Sequence, residues 1–304
     1  MVFRTLSLLP ASVPKRHACV GLDIAPGRLR IAVMRRQGGR LHLQRLSEQA
    51  MEEGLVQDGQ IGDFELLAHA CRQVLQRHAP DAGAMAMAVP ARAARAIRLV
   101  LPAASNEVQR LAQVRAGLAA HGLALEEQAL DYQVLGPRRN SPGDVDVMAL
   151  GVPALMVEDR LALADALALP LNAMPADGWC LPRFLREADG DHAAVLHLGA
   201  SGNWLSPHAA ACLPLAWRST HPLAALVQEL APLLRPAPRR LLLTGDYVGL
   251  DAATEALRKY AGLDAAIPAL PPGILVSDMY AAALRPAELA PFHCALALAA
   301  EGLA

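Results

Sequence analysis

The sequence is poor in groups that commonly announce a chemistry. Only 4% of its 304 residues are aromatic, and five are cysteines: Cys19, Cys71, Cys180, Cys212 and Cys294. An odd number with no Cys-x-x-Cys pair argues against a disulfide framework or a structural zinc site, and fits a reducing cytoplasm. Long apolar runs are missing too. The longest candidate, residues 155–171, is broken by Glu158, Asp159, Arg160 and Asp165, so no segment is expected to span a bilayer. Phe3, Leu6, Leu8 and Leu9 are interrupted by Pro10 and do not make a signal peptide. Neither sign of charge prevails, with 28 basic and 29 acidic residues and a net charge of −1, which gives no reason to expect nucleic acid or an anionic membrane as the main partner. The chain has no G-x-x-x-x-G-K-[ST], no G-x-G-x-x-G after a strand and no H-E-x-x-H. Gly199-Ala200-Ser201-Gly202 is not a nucleophile elbow, so Ser201 is no hydrolase nucleophile. The ten histidines form no ligand-spaced cluster.

What is present is an Ala- and Leu-rich chain, 54% hydrophobic and 19% charged, long enough for one large or two ordinary folded domains. Its organising stretch is residues 19–34. Val20 and Leu22 lead into Asp23; Ala25-Pro26-Gly27 turns the chain; Leu29, Ile31 and Val33 alternate with Arg28, Arg30 and Ala32. That alternation predicts a half-buried strand. A strand ending in Asp before a small-residue turn can face backbone N–H groups toward an anion, while the carboxylate holds hydrated Mg²⁺. Taken alone, such a pattern is more often a plain core hairpin, and it gains weight from a second one downstream.

Further along, residues 41–46 complete an antiparallel meander expected at one edge of a mixed sheet. Asp63 is placed to cap a helix over 64–77, and 84–89 is a short apolar strand. Arg92, Arg95 and Arg98 offer either an anion site or one solvated strand face. Asn106 with Gln109 predicts a helix start running to His121; residues 130–135 and 145–150 read as strands joined by an exposed loop over 136–143, followed by a helix over 154–168 and another over 178–187. The theme then recurs. Residues 193–198 form an apolar strand, 199–203 a small-residue turn, and Trp204-Leu205 a return strand. A strand over 239–243 ends in Thr244-Gly245-Asp246, whose glycine can press against a flat base or a ribose. A helix over 250–260 follows, and an Ala-rich helix over 292–300 suits packing between lobes.

Strand–Asp–turn–strand, an inserted subdomain, a second strand–Gly–turn–strand and a strand–Gly loop: in this order the chain resembles the actin-like ATPase superfamily. Within it the chain is similar to the PilM family of type IV pilus assembly proteins, themselves similar to the cell-division protein FtsA. The resemblance rests on Val20-Gly21-Leu22-Asp23-Ile24, Val56-Gln57-Asp58-Gly59-Gln60-Ile61, Ala86-Met87-Ala88-Val89-Pro90, residues 130–136, Asp144-Val145-Asp146-Val147, Leu198-Gly199-Ala200-Ser201 and Leu242-Leu243-Thr244-Gly245. It implies an α/β, two-lobed fold of ribonuclease H-like lobes, with a tail over 1–17, a first lobe over 18–187 holding an inserted subdomain at about 90–168, a second lobe over 188–290, and a helix over 291–304 returning to the interface. It also implies a nucleotide cleft built from Asp23, Gly27, Arg28, Gly199, Ala200, Ser201, Gly202, Gly245 and Asp246. The implied partner is the N-terminal cytoplasmic tail of the inner-membrane protein PilN, seated between the first lobe and the inserted subdomain, with residues 97–101 and 145–150 as lining elements.

The departures from that pattern bear on activity. Pro26 removes one phosphate-facing N–H, and Arg28 adds a bulky cation. His197 stands where the resemblance implies Asp, and imidazole is a poor ligand for Mg²⁺. Trp204 and Asp246 replace smaller residues, and residues 217–241 have room for one helix, about 222–234, where the superfamily carries a lid. The expectation is a cytoplasmic scaffold, held at the inner membrane through its partner, with weak or lost binding of Mg-ATP or Mg-ADP and no catalytic residues. A working ATPase or small-molecule kinase of the same fold is the alternative; a filament-forming homologue or a secretion platform protein stands behind it.

Overall fold

The computed structural model describes residues 18–138, 140–189, 193–200, 202–206, 215–217, 230, 240–277 and 284–304. The opening hairpin, β1 (Ala18–Ala25) and β2 (Arg28–Gln37), continues into β3 (Arg40–Ala50). After the two-residue strands β4 (Val56–Gln57) and β5 (Gln60–Ile61), α1 (Phe64–His78) starts at Asp63, whose side chain accepts the Leu66 N–H at 3.0 Å. Leu67, Ala68, Cys71, Val74 and Leu75 form its buried stripe, the spacing of a one-faced helix. The chain returns as β6 (Ala84–Met87), parallel to β1.

Next come β7 (Arg95–Pro102), α2 (Glu107–Ala120), β8 (Gln128–Arg138), β9 (Ser141–Pro153) and α3 (Ala154–Ala166). Asn106 and Gln109 close the expected capping box at 2.9 Å in both directions. The three strands form a separate sheet ordered β7-β9-β8. Much of the expected loop over 136–143 is strand, because β8 and β9 keep pairing to Arg138 and Ser141 across a register shift at Gly136. Then β10 (Leu171–Ala173) joins β6 in parallel, and α4 (Asp177–Asp189) leads to a second sheet. That sheet holds β11 (Ala193–His197), β12 (Asn203–Ser206), β13 (Leu215–Trp217), β14 (Arg240–Thr244) and β15 (Ala265–Ala266), with α5 (Leu250–Ala261) crossing from β14 to β15. The helix expected over 222–234 falls almost wholly outside the described residues.

The first sheet runs β10-β6-β1-β2-β3-β16, where β16 is Ile274–Val276. The meander is therefore not at an edge. The chain rejoins the first sheet at β16, within the stretch assigned to the second lobe, and pairs with Leu41–Leu43 on the free side of β3. An exposed strand edge is a pairing hazard, which very short edge strands limit.

Helix α6 (His293–Glu301) is buried on nearly every side, and lies against β1, β2, β6 and α4. Gly21 permits this approach: a Cβ there would sit 1.9 Å from the Ala295 carbonyl oxygen. One core cluster accordingly mixes Cys19, Ala32 and Met34 of the first sheet with Val195, Trp204 and Leu242 of the second, through α4 and α6. Cys19, Cys71, Cys180 and Cys294 are free and buried, as small core residues. A strand with both faces covered has no solvent side, so the half-buried expectation for β2 fails: Leu29, Ile31 and Val33 face one cluster, Ala32 and Met34 the other, and Arg30 is 4% exposed.

Candidate functional site

Sheet register builds the centre of the site. Arg30 stands opposite Asp23 on β1 and opposite Glu48 on β3, so the three side chains share one face of the sheet. The Arg30 guanidinium lies 3.9 Å from Asp23 Oδ2 and 2.6 Å from Glu48 Oε2. From the second sheet, the loop after β14 brings Asp246, whose Oδ2 accepts from Arg30 Nη2 at 2.8 Å. The other oxygen, Oδ1, accepts the Ala200 N–H at 2.8 Å, in the turn after β11. One buried cation thus ties the first turn, the second turn and the Gly loop together across 216 residues of sequence.

Burial works against the charges here, and each neighbour decides the outcome. Burial raises the Asp23 carboxyl to about 6, with Arg30 pulling it back down and Asp246 pushing it up. Burial opposes the charge on Asp246, but Arg30 and the Ala200 N–H outweigh it and hold the carboxyl below its usual range. Burial likewise disfavours the Arg30 cation, and Asp246 and Asp23 more than restore it. Asp177, at the start of α4, accepts the Ala91 N–H at 2.7 Å; burial carries its carboxyl up to about 7 and Asp23 adds to the rise.

The remaining candidates are placed as follows. Gly27 adopts φ +71° in the first turn, and Arg28 points outward to Glu48 Oε1 at 3.1 Å rather than into the crevice. Gly199 and Gly202 flank the second turn; a Cβ on Gly202 would meet Arg92 Cδ at 2.9 Å. Ser201 lies outside the described residues. Gly245 has φ +110°, and its Cβ position falls 2.0 Å from Leu198 O, so the glycine presses on the neighbouring backbone rather than on open space for a base or ribose. His197 is buried and stacked on Trp204, its partner in the strand ladder, at 5.1 Å and 11°. Burial lowers its pKa to about 4, which leaves a neutral ring engaged in packing. The three arginines after Pro90 do not converge: Arg92 pairs with Asp58 at 2.5 Å, Arg98 with Asp146 at 2.8 Å, and Arg95 is exposed.

Mg²⁺ with a nucleotide is what this arrangement of turns calls for, and the residues do not fit it. A divalent cation at Asp23 would face the guanidinium already there, and the second acid, Asp246, is bonded on both oxygens. Sequence reasoning missed Arg30, Glu48 and Asp177. Arg30, Ala32 and Met34 share a face, and two apolar neighbours out of three were the available signal that this face is covered.

Two sheets bridged by α4 and closing on a common crevice define an actin-like protein. The ethanolamine utilization protein EutJ from Carboxydothermus hydrogenoformans has this fold and is similar over 96% of this chain and 91% of its own, with a TM-score of 0.53 at 11% identity. The family model "Type IV pilus assembly protein PilM" matches residues 21–186, and the chain belongs to that family. A chain of the solved PilM-PilN type IV pilus biogenesis complex is similar over 96% of this chain and 100% of its own, with a TM-score of 0.80 at 18% identity. No curated protein sequence matches. Among the described residues, no helix is long and apolar enough to cross a membrane.

Proposed function

We propose that this protein is a non-catalytic scaffold of type IV pilus assembly. It binds the N-terminal cytoplasmic tail of a PilN-like inner-membrane protein, and through that partner it sits at the cytoplasmic face of the membrane. The observation that carries the non-catalytic part is Arg30. Its guanidinium stands between Asp23 and Asp246 and supplies from within the positive charge that a nucleotide-bound metal would bring. Phosphoryl transfer relies on metal and fixed donors around the phosphates. Here the acids are engaged with an arginine, and one turn donor is lost to Pro26.

The partner part is supported by family membership and by β7. This strand ends the three-stranded sheet, and no described strand pairs with its outer side. An extended tail adds to such an edge through main-chain hydrogen bonds, with side chains such as Val100, 42% exposed, contributing apolar contact. The other expected lining strand, β9, does not suit the role. Met148, Leu150 and Val152 face the first-sheet core, and Val145, Val147 and Ala149 face α2, so both of its faces are covered.

Two measurements test this. Calorimetry with Mg-ATP is expected to give no low-micromolar binding; such binding, abolished by Asp23→Ala, favours the ATPase or kinase alternative. A pull-down with the PilN-like tail as a peptide is expected to enrich the protein over a scrambled peptide, and Val100→Glu is expected to weaken capture about tenfold through loss of one apolar contact and burial of a charge. Equal capture by the scrambled peptide ends the partner reading.

A further inference from the structure

The chain enters the three-stranded sheet through the segment between β6 and β7. Arg160, on α3, grips the start of that segment. Its side chain is buried, and its three hydrogen bonds go to backbone carbonyls in three different places. Nε donates to Ala88 at 2.7 Å, Nη2 to Gly59 in the β4–β5 turn at 3.1 Å, and Nη1 to Met156 on its own helix at 2.8 Å. Burial draws its pKa down to about 10, so it remains a cation at neutral pH, with Asp159 and Asp177 supplying negative charge nearby. The β4–β5 turn is shaped to meet it. Asp58 and Gly59 are its two central residues, with φ of +54° and +82°, the left-handed pair of a tight hairpin. A Cβ on Gly59 would overlap Pro90 Cγ, so the tip of the turn lies flat against the entering segment. The Ala91 N–H reaches Asp177 at the start of α4, and Arg92 pairs with Asp58. Ala88, Pro90, Ala91 and Arg92 are thus each held by a group from outside the segment.

Apolar burial alone does not set this arrangement. Met148, Leu150 and Met156 of the inserted subdomain share a core with Leu22 and Leu67 of the first lobe. That contact holds the two together, but it is non-directional. A rigid planar fork with three separate acceptors has one orientation that satisfies all of them, and a buried donor without its acceptor is costly. β7 begins at Arg95, three residues after Arg92. We infer that Arg160, seated on the Asp58-Gly59 turn, is a positioning residue for the docking edge: it sets the angle at which the three-stranded sheet, and β7 with it, stands to the first lobe. This rests on the reading of β7 as the edge that receives the partner's tail, and it names the group that holds that edge ready before the tail arrives. Holding it ready removes an ordering cost from binding.

The angle is measured first, with no partner present. Spin labels at Gln76→Cys on α1 and Arg115→Cys on α2, both exposed positions, report the separation of lobe and subdomain. Cys212→Ser completes the parent protein, since Cys19, Cys71, Cys180 and Cys294 are buried and shielded from the label. Double electron–electron resonance is expected to give a single narrow distance distribution in the parent. It is expected to give a broad one in Arg160→Lys, which keeps the charge and loses the fork. Gly59→Ala, which lifts the turn off Pro90, is expected to broaden it by a different route. Val147→Ala is the control. It opens a cavity in the core beneath α2 and destabilises the subdomain without touching these groups, and is expected to leave the width unchanged. Affinity for the PilN-like tail is then expected to fall about tenfold in Arg160→Lys and Gly59→Ala, as the competent orientation drops to about one-tenth of the population, and to stay within about twofold in Val147→Ala. Unchanged widths in Arg160→Lys and Gly59→Ala overturn the inference. Equal broadening in Val147→Ala also overturns it, by reducing Arg160 to a source of stability, and a broadened width with unaltered affinity does so by separating the angle from docking. If the parent does not bind the peptide, the docking reading fails by itself, and the widths still decide whether Arg160 sets the angle.

Discussion

The two ends of one hairpin treat arginine in opposite ways. At the crevice end, Arg30 has a side chain 5% exposed and lies among Asp23, Glu48 and Asp246. At the other end of β2, Arg35, Arg36 and Arg40 are exposed to solvent. The contrast separates a cation consumed in holding the fold from cations left at the surface. Composition cannot make that distinction, since both kinds count equally toward a net charge of −1.

The largest way to break the contrast is Arg30→Met. It strands three carboxylates around a covered site and is expected to cost about 3–5 kcal/mol in urea unfolding, the usual consequence of removing one partner from a buried ionic cluster. Adding Asp246→Leu is expected to recover part of that loss, because the interlobe acid no longer lacks its cation. If the double variant is less stable than additivity allows, Arg30 is not the tie between the sheets.

A pH series sharpens the same point with a smaller effect. The folded Asp23 pKa, near 6, lies above its ordinary value of 3.8. Its stabilising contribution is therefore fully present below about pH 4 and is lost as pH rises through 6. Asp23→Asn is expected to remove that dependence, so that the difference between variant and wild type changes by up to about 2–3 kcal/mol between pH 4 and 7. The buried His197 and His293 act in the opposite sense. Burial depresses their pKa values to about 4 and about 3, so their contribution is present above pH 6.5 and fades as pH falls. Equilibrium unfolding of both proteins across this range is the check; parallel curves refute the role given to Asp23.

The smallest effects belong to the exposed arginines. Arg98, 48% exposed and paired with Asp146 across the strands, is expected to lose no more than about 1 kcal/mol as Arg98→Ala. Arg40→Gln is expected to change stability by less than about 0.5 kcal/mol. A large loss at Arg40 would place it with Arg30, as a structural cation.

Local signals carried most of the legible fold. The Asp63 cap, the Asn106–Gln109 box and the turn at Pro26-Gly27 each lie within a few residues of their consequence, and each helix or hairpin formed where expected. The order of strands and small-residue turns also sufficed for the fold class. What escaped was long-range. Nothing near Arg30 in the sequence announces Asp246, and the cover on the second face of β2 comes from α6. β16 is three residues long, too short to show a period, yet it changes an edge strand into an interior one. At the candidate site, Asp23, Ala200 and Asp246 do meet in one network, but the residue at its centre is one that strand alternation had assigned to solvent.

The burial of α6 against β1 makes closing the first sheet a long-range event. The Arg36–Leu303 bond spans 267 residues, and Gly21 is kept bare for a helix far from it in sequence. Until that helix docks, β1 and β2 lack a cover on one face. A contact map dominated by such distant pairs predicts slow, concerted folding rather than independent closure of the opening hairpin.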